Sequence, residues 1–162
     1  MKKLPLILLS SILIVLAVVI VFKGNADENT NQVCLFSAVS GTVTLHGKPL
    51  SHIKITRNAN YWNKDNHTDE AMTDADGRFH FEPMMTNSRH IKRSMNPIIF
   101  EKLILHHDGK DYVGWDTTRY DIQPNIELDE NTPIPVLRCE LSNESTIKDV
   151  KYGTVNGICT WK

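Results

Sequence analysis

The stretch Gly41-Thr42-Val43-Thr44-Leu45-His46-Gly47-Lys48-Pro49-Leu50 runs on through Ile53-Lys54-Ile55-Thr56-Arg57. Later it reaches Thr73-Asp74-Ala75-Asp76-Gly77-Arg78-Phe79-His80-Phe81. These residues decide the fold class. Val43 and Leu45 alternate with Thr42, Thr44 and His46, the period of a half-buried strand. Gly47 supplies a turn, and Pro49 stops the ladder. Ile53 and Ile55 restart the alternation. Asp76-Gly77, between Met72 and Phe79, is a hairpin signal, because glycine tolerates the positive φ of a tight turn. The segment therefore reads as strand, turn, strand, long loop, strand, hairpin, strand.

The chain on either side continues the pattern. Val33, Leu35 and Phe36 flank Cys34 in a first strand. Glu82 to Asn96 reads as a loop with a helical turn. Pro97 introduces an apolar run, Ile98 to Leu105, in which Ile99, Glu101 and Leu103 share one face. Asp108-Gly109 marks a second hairpin, and Tyr112 to Asp116 forms its return strand. Residues 120–129 are irregular, and Ile134 to Leu141 and Thr154 to Trp161 close the sheet. The sum is an all-β fold, an antiparallel β-sandwich of about seven to eight strands.

These motifs resemble the carboxypeptidase regulatory-like domains, small sandwiches related to transthyretin (prealbumin) and Ig-like in architecture. The shared pattern is G-x-V, then G-x-P, then a hydrophobic alternation, then T-D-x-x-G-x-F-x-F. Phe36 to Gly41, the Trp62 loop, Tyr112, Trp115, Cys139-Glu140-Leu141 and Gly157-Ile158-Cys159 look like an uncharacterised bacterial subgroup. The likeness covers about residues 35 to 161. It implies a binding or accessory module, and it brings no catalytic residues with it.

Leu4 to Phe22 is an apolar run of 19 residues without a charge. As a helix it spans roughly 28 Å, close to a bilayer core. Lys2 and Lys3 precede it, which places the N-terminus in the cytoplasm and the domain outside. The expected organisation is a signal anchor over residues 1–24, a polar linker over 25–32 and the sandwich over 33–162. In a bacterium this is a single-pass inner-membrane protein with a periplasmic domain. Gly24-Asn25-Ala26 also has the small-x-small form of a cleavage site, so a soluble periplasmic or secreted product stays open as the alternative. Both readings export the domain.

The 162 residues carry 18 basic and 19 acidic side chains, a net charge of −1. Nothing in this balance points to nucleic acid. Cys139 and Cys159 sit in strand-like runs separated by a polar, turn-rich stretch. Antiparallel neighbours would join them as a disulfide in an oxidising compartment. Cys34 is left over and reads as a buried small apolar residue, although either partner remains open to it.

A search for chemistry yields little. The seven histidines lack the paired spacing of zinc sites, and the adjacent His106 and His107 point to opposite faces of a strand. Asp74-Ala75-Asp76-Gly77 matches only a fragment of a calcium loop. There is no G-x-S-x-G elbow and no phosphate loop. We expect no metal, no cofactor and no catalytic activity. The best interaction candidates are Tyr61 and Trp62, in an aromatic-polar loop from Asn58 to Lys64, and Arg89 and Arg93 in a small basic segment suited to an acidic partner or lipid head groups. The expected function is a non-catalytic, membrane-anchored module that recognises a protein. One form of it is an immunity-type protein against a toxin delivered into the periplasm. The alternatives are an envelope assembly component and a carbohydrate-binding accessory domain that stacks sugar on Tyr61, Trp62 and Trp115.

Overall fold

The computed structural model describes residues 32–62 and 65–162. The expected signal anchor and all but the end of the linker lie outside the described residues. Among those described, no helix is long and apolar enough to cross a membrane.

The domain is all-β and sandwich-like. Its largest sheet is built from two hairpins and a third added at one edge. Strands β4 (Lys54–Tyr61) and β5 (Asp65–Met72) form the first hairpin, and β8 (Ile99–His107) and β9 (Lys110–Arg119) the second. Strands β11 (Thr146–Val150) and β12 (Gly153–Gly157) form the third, and the sheet order is β11-β12-β9-β8-β4-β5. Asp108-Gly109 makes the expected turn, with φ of 48° and 71°. Both values are positive, as the two-residue turn that suits strand twist requires.

The second sheet centres on β2 (Val39–Leu45). It pairs with β3 (Lys48–Pro49), with β6 (Arg78–Phe81) and with β10 (Leu137–Glu140), and β10 carries β13 (Cys159–Thr160). The ladder between β2 and β10 is parallel, which corrects the expectation of a wholly antiparallel sandwich. The long connection over 120–136 returns the chain before β10 begins, and parallel neighbours need such a crossover. A separate ribbon pairs β1 (Gln32–Phe36) with β7 (Met84–Asn87). The single helical turn is α1 (Arg89–Lys92), capped by Ser88, whose Oγ accepts from the Ile91 N–H at 3.2 Å.

Three other expectations change. The stretch after Arg57 is not a long loop. It is the end of β4 and the whole of β5, an edge strand with no buried residue. Asp76-Gly77 does not join paired strands, because β5 belongs to the large sheet and β6 to the small one. The turn instead carries the chain from sheet to sheet. Thr73 and Asp74 hold it: Thr73 Oγ1 accepts from the Ile53 N–H and donates to the Leu50 carbonyl, and Asp74 Oδ1 accepts from the Asp76 and Arg78 N–H groups. Finally, Thr154 to Trp161 is two strands. The break at Gly157 sends β13 to the other sheet, and thirteen strands are present among the described residues.

Val43, Ile55, Leu103, Leu105, Trp115 and Leu137 are buried between the sheets. Cys139 and Cys159 are directly opposed in the β10–β13 ladder and form the disulfide, while Cys34 is free and buried. The bridge lies against the large sheet where Gly114 sits: a Cβ there would fall 2.9 Å from Cys159 Sγ. Glu140 closes the His46-Gly47 turn. Its carboxylate accepts from the Ser142 hydroxyl and N–H, the Gly47 and His46 N–H groups and the Thr44 hydroxyl. Ser142 first, then Gly47, hold its pKa far below the usual carboxylate range.

Candidate functional site

Tyr61, Ile99 and Arg119 share one row across β4, β8 and β9. All three side chains point into the core at one end of the large sheet. That end carries the residues singled out by sequence, and it also carries a cleft that sequence did not indicate.

On the β4 side, the inward alternation of Ile55, Arg57, Ala59 and Tyr61 makes Tyr61 a core residue, 4% exposed, edge-on to the His90 ring at 5.9 Å. Trp62, one residue on, has turned out of the strand and is 49% exposed, with its N–H donating to the Ile98 carbonyl at 3.2 Å. Arg89 and Arg93 are exposed on α1 and its cap. Shallow depressions lined by Tyr61, Trp62, His90 and Ser94, and by Tyr61, Arg89, His90, Arg93 and Ser94, join them into one surface. The two candidate segments are thus one site, with the largely buried Tyr61 lining both depressions. Trp115 is fully buried, so the expected sugar-stacking platform of Tyr61, Trp62 and Trp115 does not form.

On the β9 side, a cleft of about 290 Å³ opens between the end of β9, the 120–136 connection and the β11–β12 turn. Its rim holds Tyr120, 57% exposed, and Tyr152, 39% exposed. The Tyr152 hydroxyl donates to the Glu130 carboxylate, and Lys151 pairs with Asp129 at 2.8 Å. The floor is charged and buried. Arg119 donates to Glu127 at 2.7 Å and to the Cys34 carbonyl. Glu127 also accepts from the Ser37 N–H and hydroxyl at 2.8 Å each, and from the Ile126 N–H at 3.0 Å. With Asp121, Glu127 and Glu130 against Arg119, the lining is acidic.

The same guanidinium faces a second buried carboxylate, Glu101, at 3.4 Å. Glu101 is fully buried, and neither oxygen meets a donor at hydrogen-bond geometry, although the Trp115 indole is a polar neighbour. Burial pushes its pKa well up. Arg119 pulls it down, and the nearby Glu127 carboxylate adds to the rise. One cation thus serves two carboxylates. Glu127 has four donors, while Glu101 has none. For Arg119, burial works against the charge, but Glu101 and Glu127 outweigh it and raise the pKa. Burial likewise pushes the Cys34 thiol up, so it stays protonated and is a poor nucleophile.

A second buried cation, Arg57, is fully engaged. It pairs with Asp69, donates to the Glu82 carbonyl at 2.8 Å and lies over the Phe81 ring at 4.6 Å. No group of three or more His, Cys, Asp or Glu suited to a metal occurs among the described residues. His106 lies between Thr56 and Asp111, and Asp74 and Asp76 are used by their own turn.

Sequence reading missed the cleft because Arg119 ends a strand, Tyr120 and Glu127 lie in the irregular stretch after it, and Tyr152 comes from a distant turn. One signal was present. Glu101 sits on the inward face of Ile99, Leu103 and Leu105, and a buried carboxylate requires a buried partner.

The family described as Domain of unknown function (DUF6795) matches residues 39–144, more than half of the chain. The chain belongs to this family. No curated protein and no solved structure gives a significant match.

Proposed function

We propose that this member of the DUF6795 family is a membrane-anchored, periplasmic, non-catalytic module that recognises a protein partner through the Tyr120–Tyr152 cleft. The observation that carries this reading is two exposed tyrosines held on a rigid floor. The floor is rigid because the Arg119–Glu127 pair ties together β1, β9 and the 120–136 connection. Tyrosine suits a recognition surface, since it offers a large amphipathic contact area with little side-chain freedom to lose. The acidic lining favours a partner that inserts a basic side chain. The resemblance to carboxypeptidase regulatory-like domains agrees with an accessory role, and the disulfide agrees with an oxidising compartment.

The test is capture from membranes by a photo-crosslinking residue at position 120, followed by Tyr120→Ala and Tyr152→Ala. Each change should weaken the captured complex about tenfold or more while leaving thermal stability nearly unchanged. Crosslinks to saccharide and to no protein would refute the reading.

A further inference from the structure

We infer that the Trp62–Arg93 face docks on an anionic phospholipid surface and orients the domain on its own membrane. The inference rests on the membrane-anchor reading above and assigns that face a separate task from the cleft. Four observations converge on it.

The first is where the described chain begins. Gln32 pairs with Asn87 in the β1–β7 ribbon, and Asn87 directly precedes the Ser88 cap of α1. The chain therefore enters the domain beside the basic turn. The second is the length outside. Residues 23–31 separate the apolar run 4–22 from Gln32. Nine residues reach at most about 30 Å, which bounds the tether between the apolar run and Gln32. The third is charge. Arg89, Lys92 and Arg93 are exposed, and none forms an ion pair among the described residues. Residues 83–100 contain no Asp or Glu. The fourth is apolar. Trp62 is 49% exposed and shares a depression with Ser94, whose chain neighbour Met95 is 94% exposed. A tryptophan and a flexible apolar side chain among cations suit the boundary between head groups and acyl chains.

The attraction of three basic side chains to an anionic leaflet favours the docked arrangement on the order of 100-fold, and salt weakens it. The experiment uses the full chain in vesicles of phosphatidylcholine alone or with 30% phosphatidylglycerol (about three lipids in ten, enough for a surface potential). Trypsin is added outside, on vesicles with the domain outward, and cleavage after Arg89, Lys92 and Arg93 is followed by mass spectrometry. A parallel sample replaces part of the phosphatidylcholine with its brominated form and measures tryptophan quenching.

Cleavage should be at least about tenfold slower on the anionic vesicles. High salt should restore it. Quenching should appear on the anionic vesicles and be lost in Trp62→Phe, which leaves Trp115 and Trp161 in place. The triple change Arg89→Glu, Lys92→Glu and Arg93→Glu should abolish the lipid-dependent quenching of Trp62. Equal cleavage and equal quenching on the two vesicles, with the chain resisting carbonate extraction, would overturn docking and leave the anchor standing. A chain that carbonate strips from the vesicles would overturn both.

Discussion

Replacing Glu101 by Gln should remove most of the pH dependence of stability between pH 5 and 6. Glu101 is buried without a donor to its oxygens, and burial first, then Glu127, raise its folded pKa well above 4.5. The sign follows from proton counting. Just above pH 4.5 the unfolded chain has released this proton and the folded domain still holds it. Folding then takes up a proton, so stability falls as pH rises through the window from the unfolded to the folded pKa. A full proton difference is worth about 1.4 kcal/mol per pH unit, and partial ionisation of the unfolded chain at pH 5 caps the step to 6 at about 1 kcal/mol. Glu140, Asp129 and Glu130 are shifted down, so their contributions are lost on acidification below about pH 4.5, outside this window. Cys34 is shifted up from 9.0 and acts above it.

The assay is urea unfolding of the domain from Asn31 onward, a compact unit with its own core, at pH 5, 6 and 7. Wild type should lose up to about 1 kcal/mol from pH 5 to 6, and Glu101→Gln should lose much less. Glu127→Gln makes a contrast. It removes the hydrogen-bonded counter-charge of Arg119, and breaking such a buried pair costs about 3–5 kcal/mol. Wild-type stability that rises from pH 5 to 6, or an unchanged slope in Glu101→Gln, would refute the assignment of the proton to Glu101.

The remaining predictions concern the scaffold. Tyr61→Ala should cost about 3 kcal/mol in a denaturation experiment, because the side chain is buried against the core, whereas a neutral result would return Tyr61 to the surface. Gly77→Val should impair folding, since φ is 72° and a Cβ would fall 2.5 Å from the Val43 carbonyl oxygen; a wild-type melting curve would contradict this. Cys139→Ala should destabilise the domain by about 2–4 kcal/mol in urea, with no effect of reductant on the variant.

How much of this was legible in the sequence depends on burial. Strand β8 announces itself because Ile99, Leu103 and Leu105 face the core and must be apolar, and the Asp108-Gly109 turn needs residues that accept positive φ. The disulfide was legible because Cys139 and Cys159 lie in apolar strands on either side of a polar excursion. Strand β5 was not legible. Asp65 to Met72 is an edge strand with no fully buried residue and only Ala71 packed against the core, so no apolar alternation marks it, and polar residues there also keep the edge from pairing with other chains. The misreading of β5 as a loop produced the misplacement of Tyr61, because the hairpin extends β4 to residue 61 and parity then turns that side chain inward. The motif Thr73-Asp74…Gly77 was correctly seen as a turn and wrongly seen as a hairpin. Its residues satisfy a turn's backbone in either setting, and pairing partners are decided by strands far away in the chain.

The site follows the same division. Arg89, Arg93 and Trp62 stood out because charge and a lone aromatic in a polar context have few roles in a core. Their union into one face depends on the ribbon that sets Asn87 beside Gln32 and on the Trp62 to Ile98 hydrogen bond, neither of which leaves a local signature. The buried network shows why the two surfaces stay distinct although they share one end of the sheet. Arg119 is held by Glu127, Glu101 and the Cys34 carbonyl, so it is committed inward and cannot extend the basic face toward the cleft. Arg89, Lys92 and Arg93 lie on the α1 side, beside the point where the chain enters, whereas Lys151 at the cleft is paired with Asp129. The acidic cleft with its two tyrosines lies toward the end of β9 and the β11–β12 turn, two and three strands from β4 across the sheet. At a strand spacing of about 4.8 Å those separations are roughly 10 Å and 14 Å, more than the Debye length of about 8 Å at physiological salt. A docked basic face then leaves the potential around Tyr120 and Tyr152 largely undisturbed. Charge reversal on α1 should accordingly leave the complex captured at position 120 intact.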